Sequence, residues 1–312
     1  MDAIFLQILN GLDKGGAYAL IALGLTLVFG TLGVVNFAHG ALFMLGAFCA
    51  VTMDRILNLS YIRISETEKD FLGQPLKEEI PYLKGWFGDS AGEFMLDYSV
   101  PISVLLAIIF MAIVGIVMER GLIKHFYKRP HADQILVTFG LAIVIGELIR
   151  HYYGANPIPQ SAPSAVAGSA NVGALFGMGD NVVYPWWRLV YFLFSAVVIF
   201  AVFAFLQFTT FGMVVRAGMQ DRETVGLLGI HIQQKFTIVF ALAAVVAGVA
   251  GAMYTPILPP DYNMGMDFLV LSFVVVVVGG MGSLPGAVLA GFLLGILQSF
   301  ASMSIIQDAL PG

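Results

Sequence analysis

Charge is scarce in this sequence, and the scarcity is not evenly spread. Only 11% of the 312 residues are charged, against roughly 25% in soluble domains, while 59% are hydrophobic. Residues 15–53, 189–215, 236–260 and 268–307 contain no Asp, Glu, Lys or Arg at all. A chain with so little polar surface cannot cover itself in water, so a soluble globular fold is excluded and most of its area must face lipid.

Cysteine is nearly absent as well. The single Cys49 excludes a disulfide within the chain and a thiolate metal site. The five histidines are scattered without metal-ligand spacing. No G-x-x-x-x-G-K-[ST] segment occurs, so the chain cannot bind ATP phosphates through a P-loop. Since no nucleophile, base and orienting group can be singled out, we expect no enzymatic activity, no metal and no cofactor on this chain.

The uncharged stretches predict an all-α, polytopic transmembrane bundle. A spanning helix needs about 20 apolar residues, and the pattern gives about eight spans. The first and last stretches are each long enough for two spans, broken near residues 34–40 and 279–286. The predicted spans are roughly 15–32, 37–54, 100–118, 134–153, 188–209 and 236–256, with two more inside 268–307.

The basic residues predict the orientation of the bundle. Loop 119–133 carries four Lys or Arg, and residues 212–235 carry three, so both should face the cytoplasm. The acidic segment 58–97, rich in Pro and Gly, is then an extracytoplasmic loop insertion. Loop 154–187 and the N-terminus lie on that same outer side. Residues 1–312 thus form a single transmembrane domain.

The two mid-run breaks are candidates for a translocation path, since interrupted helices in the two halves of a chain accompany substrate sites in many transporters. For His39 the alternative is a neutral histidine packed at a helix end. Stripes of small residues four apart, such as Ala243, Ala247 and Gly251, predict close helix packing. The candidate path residues are Asn36, Phe37, His39, Gly40, Gly279, Gly280, Met281, Gly282 and Gly286.

Two charged features stand out in or beside the membrane. Glu147 and Arg150 lie three apart on one predicted helix face near its outer end; they are a mutual structural pair or a functional one. Residues 212–230 form a polar island between two spans. Ala217, Asp221 and Val225 fall four apart, which predicts a short amphipathic helix on the membrane surface, and Gly229 offers its stop. The alternative is an ordinary connector.

Three motifs occur in order: GLDKGGAYALIALGLTLVFG at 11–30 with NFAHG at 36–40, LLGI at 227–230, and VGGMGSLPG at 278–286. Together they resemble the branched-chain (hydrophobic) amino acid ABC transporter permeases, over nearly the whole chain apart from 58–97. The resemblance implies a multi-pass subunit in the bacterial inner (plasma) membrane. It also implies a second permease subunit, ABC ATPase subunits that bind the ATP, and an extracytoplasmic substrate-binding protein.

By the same resemblance, segment 212–230 is the cytoplasmic coupling helix that docks into the ATPase. The residues assigned to this coupling are Arg216, Ala217, Asp221, Arg222, Gly229 and Ile230. Relatives of this family carry branched-chain and other amino acids, and some carry urea or short amides, which is one alternative function. A stand-alone secondary transporter or channel is another, and a non-transporting scaffold is a third.

The sequence departs from the family pattern at several points. Val225, His231 and Asp267 replace residues that are commonly Ala, Asn and Lys, and Asp267 leaves the substrate open. The 58–97 segment is long for the family. A final span and basic tail are expected after the eighth span, so we expect the C-terminus to be incomplete.

Overall fold

The computed structural model describes residues 2–69, 75–175, 182–227 and 229–303. The final span expected after the eighth lies outside the described residues. Leu228 of the LLGI motif lies outside them too. In chain order the elements are α1 (Asp2–Leu32), α2 (His39–Leu57), β1 (Ser60–Lys69), β2 (Pro75–Pro81), α3 (Tyr82–Phe87), α4 (Asp89–Asp97), α5 (Ser99–Gly121), α6 (His131–Tyr153), β3 (Ser169–Asn171), α7 (Val172–Leu175), β4 (Val183–Pro185), α8 (Trp186–Phe208), α9 (Thr210–Gln220), α10 (Arg222–Leu227), α11 (Ile232–Tyr254), α12 (Met264–Gly279) and α13 (Leu284–Ala301).

The helical bundle is confirmed, and one apolar helix lies in each of the predicted spans. Within the described ranges, seven helices are long and apolar enough to cross a membrane; α12, with 16 residues, is shorter. At 1.5 Å per residue α12 covers about 24 Å, less than the ~30 Å hydrocarbon core. Two small antiparallel hairpins, β1–β2 and β3–β4, lie in the loops.

The predicted start of the first span at residue 15 is wrong. Helix α1 begins at Asp2 and runs for 31 residues, about 46 Å. Asp13 was placed before the span because it is charged, yet it lies inside α1 with only 1% of its surface exposed. A salt bridge from Arg188 of α8 makes its burial possible.

Helix α1 is the centre of the bundle, and small residues let its neighbours approach it. It runs antiparallel to α13, because Gly15 lies against Phe292 while Ala19 lies against Gly291. A Cβ placed on Gly291 would lie 2.8 Å from the Cα of Ala19. In lipid such close backbone contact replaces the hydrophobic force that drives packing in water. The close packing predicted from the small residues is therefore seen between α1 and α13.

The loops collect at two ends of the bundle. At one end the hairpin β3–β4 packs on the start of α1, and residues 163–166 share a cavity with Asp97. At the other end Gly30 of α1 meets Gly282, and Glu119 bonds to Thr237. This grouping puts 58–97, 154–187 and the N-terminus together, and 119–133 with 212–235. It matches the alternation that the spans predict.

The first prediction concerns the side of the membrane on which each end lies. In a Cys49→Ala background, a cysteine at position 78 should react with an impermeant thiol reagent added to intact cells. A cysteine at position 128 should react only after the membrane is opened, because the basic loops face the cytoplasm. Both positions are exposed in the fold, so burial in the protein cannot explain why a cysteine at either position fails to react. Labelling of position 128 but not of 78 from outside contradicts the orientation.

Candidate functional site

The polar island is two helices rather than the single helix predicted. Helix α9 ends at Gln220, and Asp221 has an extended backbone with φ −151° and ψ 104°. The Asp221 carboxylate then accepts hydrogen bonds from the backbone N–H (3.1 Å) and the hydroxyl of Thr224. It thereby caps the start of α10. Ala217 and Asp221 are exposed, whereas Val225 is 5% exposed, so the three do not share one face.

Arg216 is turned back toward its own chain. Its guanidinium donates to the backbone oxygen of Leu206, in the last turn of α8, and to the side chain of Gln207 at 3.4 Å. A cation at the carboxyl end of a helix satisfies carbonyls that have no partner within the helix. Arg216 thus fixes the angle between α8 and α9. Arg216, although predicted to contact the ATPase, therefore makes its hydrogen bonds within its own subunit.

Part of the outward surface of this segment is made of small and apolar side chains. Ala217 and Gln220 are exposed, Met213 is 57% exposed, and Leu227 is 87% exposed. Beyond α10, Gly229 adopts φ +77°, which agrees with the predicted helix stop. Ile230 is half-buried. The side chain of Arg222, another predicted coupling residue, lies outside the described part of the structure. We call the exposed residues Met213, Ala217, Gln220 and Leu227 the outer face of the segment.

The inner face of α9 meets the end of α1, which in turn meets the α12–α13 turn. A Cβ placed on Gly30 would lie 2.6 Å from Cε of Met219 and 3.4 Å from Cα of Gly282. A cavity of about 290 Å³ lies beside this contact, between Leu206, Met219 and Ser283. The structure therefore brings together two of the sequence motifs, the polar island and VGGMGSLPG.

The α12–α13 turn depends on glycine in two ways. Gly280 and Gly282 have φ of +90° and +88°, where an L side chain is strained. Gly279 and Gly286 face each other across the turn, and a Cβ on either would collide with the backbone oxygen of the other. Ser283 then caps α13 by accepting from the N–H of Gly286 at 3.2 Å. Met281 is 55% exposed at the tip.

The break between α1 and α2 is buried. Gly33 ends α1 with φ +65°, and Asn36 turns the chain by accepting from the N–H of Ala38 at 3.0 Å. Asn36 and His39 are both 0% exposed. Within the described part of the chain neither ring nitrogen of His39 has a hydrogen-bond partner. His39 lies against Gly24, at the first turn of α2.

Phe37 ties this break to other helices. Its N–H donates to the hydroxyl of Thr138 on α6 at 3.0 Å, and its ring centroid lies 5.1 Å from that of Phe273 on α12. Gly40 packs against the backbone of Gly265. The path residues at the first break thus sit in the subunit core, while those at the second break sit at one end. Their assignment to the translocation path stays a prediction.

Two buried carboxylates were missed in the sequence. Asp13 accepts from Arg188 at 3.0 Å and from the Tyr184 hydroxyl at 3.2 Å. Burial raises the pKa of Tyr184, so this phenol remains a donor. The network anchors hairpin β3–β4 to α1. The position of Asp13 directly before the uncharged run was the available signal in the sequence. Nothing near it in the chain indicated that Arg188 would be its partner.

Glu119 is the second buried carboxylate and is 2% exposed. It accepts from Thr237 of α11 at 2.7 Å and from Tyr127 at 2.5 Å. The contacts tie the loop after α5 to the start of α11, next to the polar island. A cavity of about 530 Å³ opens beside it, lined also by Arg120 and Lys124. This end of the bundle is therefore basic and polar.

Comparison with known proteins agrees with this architecture. Residues 7–311 match the family described as branched-chain amino acid transport system, permease component. The chain is 28% identical to the high-affinity branched-chain amino acid transport system permease protein BraD of Pseudomonas aeruginosa, over 95% of this chain and 85% of the relative. It is 25% identical to the corresponding LivH protein of Escherichia coli, with the same coverage. For the probable LivH protein of Methanocaldococcus jannaschii the identity is 25%, over 90% of this chain and 75% of the relative. No solved structure matches.

Because the match spans nearly all of its length, this chain belongs to the branched-chain amino acid transport permease family. It is a multi-pass membrane protein of the inner (plasma) membrane. The resemblance drawn from the three motifs is thereby confirmed.

The second prediction tests the glycine turn. Gly286→Ala should lower the thermal stability of the purified protein and reduce uptake, because the new methyl overlaps the carbonyl oxygen of Gly279. Overpacking of this kind costs about 1–3 kcal/mol. The matched control is Gly140→Ala in α6, where a Cβ meets nothing within 4 Å and should be neutral or stabilising. Equal behaviour of the two variants contradicts the close contact at 279–286.

Proposed function

We propose that this chain is a membrane-spanning subunit of an ATP-driven importer for branched-chain or other amino acids. It forms part of the translocation pathway and catalyses no reaction itself. Its partners are a second permease subunit, ABC ATPase subunits that bind the ATP, and an extracytoplasmic substrate-binding protein. The observation that carries the proposal is the family match over residues 7–311. The substrate named for each of the relatives above is branched-chain amino acids.

The coupling role of segment 212–230 is supported by what its two faces contact. Met219 on the inner face touches Gly30 of α1, which lies against Gly282 of the α12–α13 turn. The outer face is left exposed, and Ala217 at its centre is small enough for a partner to approach closely. A force applied to the outer face by an ATPase would pass through Met219 into the central helix. Arg216 keeps α9 attached to α8 during such a movement.

A urea or amide permease of the same family and a stand-alone transporter are less well supported. The relatives above are named for branched-chain amino acids. A stand-alone secondary transporter requires intramembrane groups that bind ions or protons. Of the two buried carboxylates described above, Glu119 accepts hydrogen bonds from Thr237 and Tyr127, and Asp13 is paired with Arg188 through Oδ2.

The third prediction tests the outer face. Ala217→Trp should reduce leucine uptake by at least about tenfold in vesicles that hold the assembled transporter, because a bulky ring prevents close docking of the ATPase. Co-purification of the ATPase should fall in parallel. Because Ala217 is exposed, the subunit itself should insert and fold normally.

The matched control is Ala132→Trp, an exposed alanine in the first turn of α6 at the same end of the bundle. It should leave uptake and ATPase retention near wild type. Normal uptake and a fully retained ATPase with Ala217→Trp would show that 212–230 is an ordinary connector. If Ala132→Trp also lost uptake and ATPase retention, the effect of Ala217→Trp would not be specific to segment 212–230.

A further inference from the structure

The pair Glu147–Arg150 is exposed although it lies on a membrane-spanning helix. An Arg150 nitrogen lies 3.3 Å from Oε1 and 3.4 Å from Oε2 of Glu147. The side chains are 60% exposed for Glu147 and 52% for Arg150. Charges on a membrane span face water or protein rather than lipid. This face of α6 is therefore a lining surface or a subunit contact.

The geometry argues against a purely structural pair. Charge-assisted N–H···O contacts are usually about 2.7–2.9 Å long, shorter than the distances between Glu147 and Arg150. Exposed ion pairs contribute little to stability. Arg150 lies in the last turn of α6, and Glu147 lies one turn before it. A contact this long between two exposed groups leaves both charges available to a ligand.

A small cavity adjoins the pair. It has a volume of about 180 Å³ and lies between the start of α2, the middle of α6 and the start of α12. Pockets for drug-sized ligands hold roughly 300–1,000 Å³, so this one suits a smaller molecule. Glu147 and Asn263 supply polar groups, and the apolar lining includes Ala41, Met44, Ala142 and Met266.

Arg150 is held in place independently of Glu147. Its guanidinium carbon lies 5.5 Å from the ring centroid of Tyr262, within the range of a cation–π contact. Tyr262 also lines the cavity. If a ligand took over the Glu147 carboxylate, Arg150 would keep this support. The guanidinium has five N–H donors, enough to bind a carboxylate with two parallel hydrogen bonds.

We propose that Glu147 and Arg150 bind the zwitterionic head of the transported amino acid, with its apolar side chain in the cavity next to Met44 and Ala142. The ammonium contacts Glu147 and the carboxylate contacts Arg150. The ligand's two charges replace the contact between the two residues, so no charge is left without a partner. The proposal rests on the proposed function and adds to it the groups that recognise the substrate.

The first test uses vesicles with the complete transporter, external binding protein and radiolabelled leucine. Glu147→Gln and Arg150→Gln should each lower leucine uptake by at least about tenfold, as loss of a charged hydrogen bond predicts. ATP hydrolysis stimulated by the binding protein should stay within about twofold of wild type, since α9 is untouched. Uptake like that of the wild type in both variants overturns the site.

The matched control is Glu93→Gln, which breaks the exposed pair between Lys84 and Glu93, 2.8 Å apart. It should leave uptake unchanged. The exchanged variant Glu147→Arg/Arg150→Glu keeps an ion pair but reverses it. Reversing the head group at a chiral carbon turns the side chain away from the cavity, so uptake should remain low. Full recovery in the exchanged variant means that the pair is structural and overturns the proposal.

A third arm does not depend on the charges. Ala142→Leu fills the cavity and should lower uptake of leucine more than that of the smaller valine. Val144→Leu, on the same helix at a position that is 56% exposed and does not line the cavity, should leave the ratio unchanged. Where a charge variant loses ATP hydrolysis and uptake together, this ratio decides, and an unchanged ratio overturns the site.

Failure of the two proposals can be told apart in the same vesicles. Wild-type transporter without ATP-dependent leucine uptake would contradict the proposed function. Wild-type uptake together with unaffected Glu147 and Arg150 variants would contradict only the binding site.

Discussion

Close backbone contact with the central helix is the constraint on which the rest of the structure depends. In lipid, apolar side chains gain little by leaving their surroundings, so helices are held by packing and a few polar bonds. Gly15, Gly291 and Gly295 bring α13 onto α1, and Gly46 meets the backbone of Gly248 to bring α2 onto α11. Because these contacts leave no free space, the helices around α1 must move together or as discrete units.

That constraint explains how a short surface segment can influence the interior. Met219 touches Gly30 of α1, and Gly30 lies against Gly282 of the α12–α13 turn. A shift of α9 would reach this end of α1 through the Met219 side chain, since Gly30 presents only its backbone there. Helix α1 extends from this contact to the Asp13–Arg188 pair that anchors hairpin β3–β4. One continuous helix, α1, thereby joins the two ends of the subunit.

The eight helices, the loop grouping and the family could be predicted, because apolar run length and motif order are local properties of the sequence. The inclusion of Asp13 in the first helix could not be predicted, because its partner Arg188 is distant in the chain and only folding brings the two together. The division of 212–230 into two helices was missed because Asp221 fits an amphipathic pattern as well as it fits a helix cap. The hydrogen bond from Arg216 to Leu206 was missed as well, because it depends on how α9 folds back against the end of α8.

The cavity between α9 and the α12–α13 turn is the place where a restraint tests the proposed coupling most directly. Cysteines at Met219 and Ser283, in a Cys49→Ala background, line the same cavity. They can be joined by a short bifunctional methanethiosulfonate reagent. The account predicts that joining them in vesicles stops ATP-driven leucine uptake and that a reducing agent restores it. Efficient cross-linking with undiminished uptake would contradict the account, as would a failure of the two cysteines to be joined.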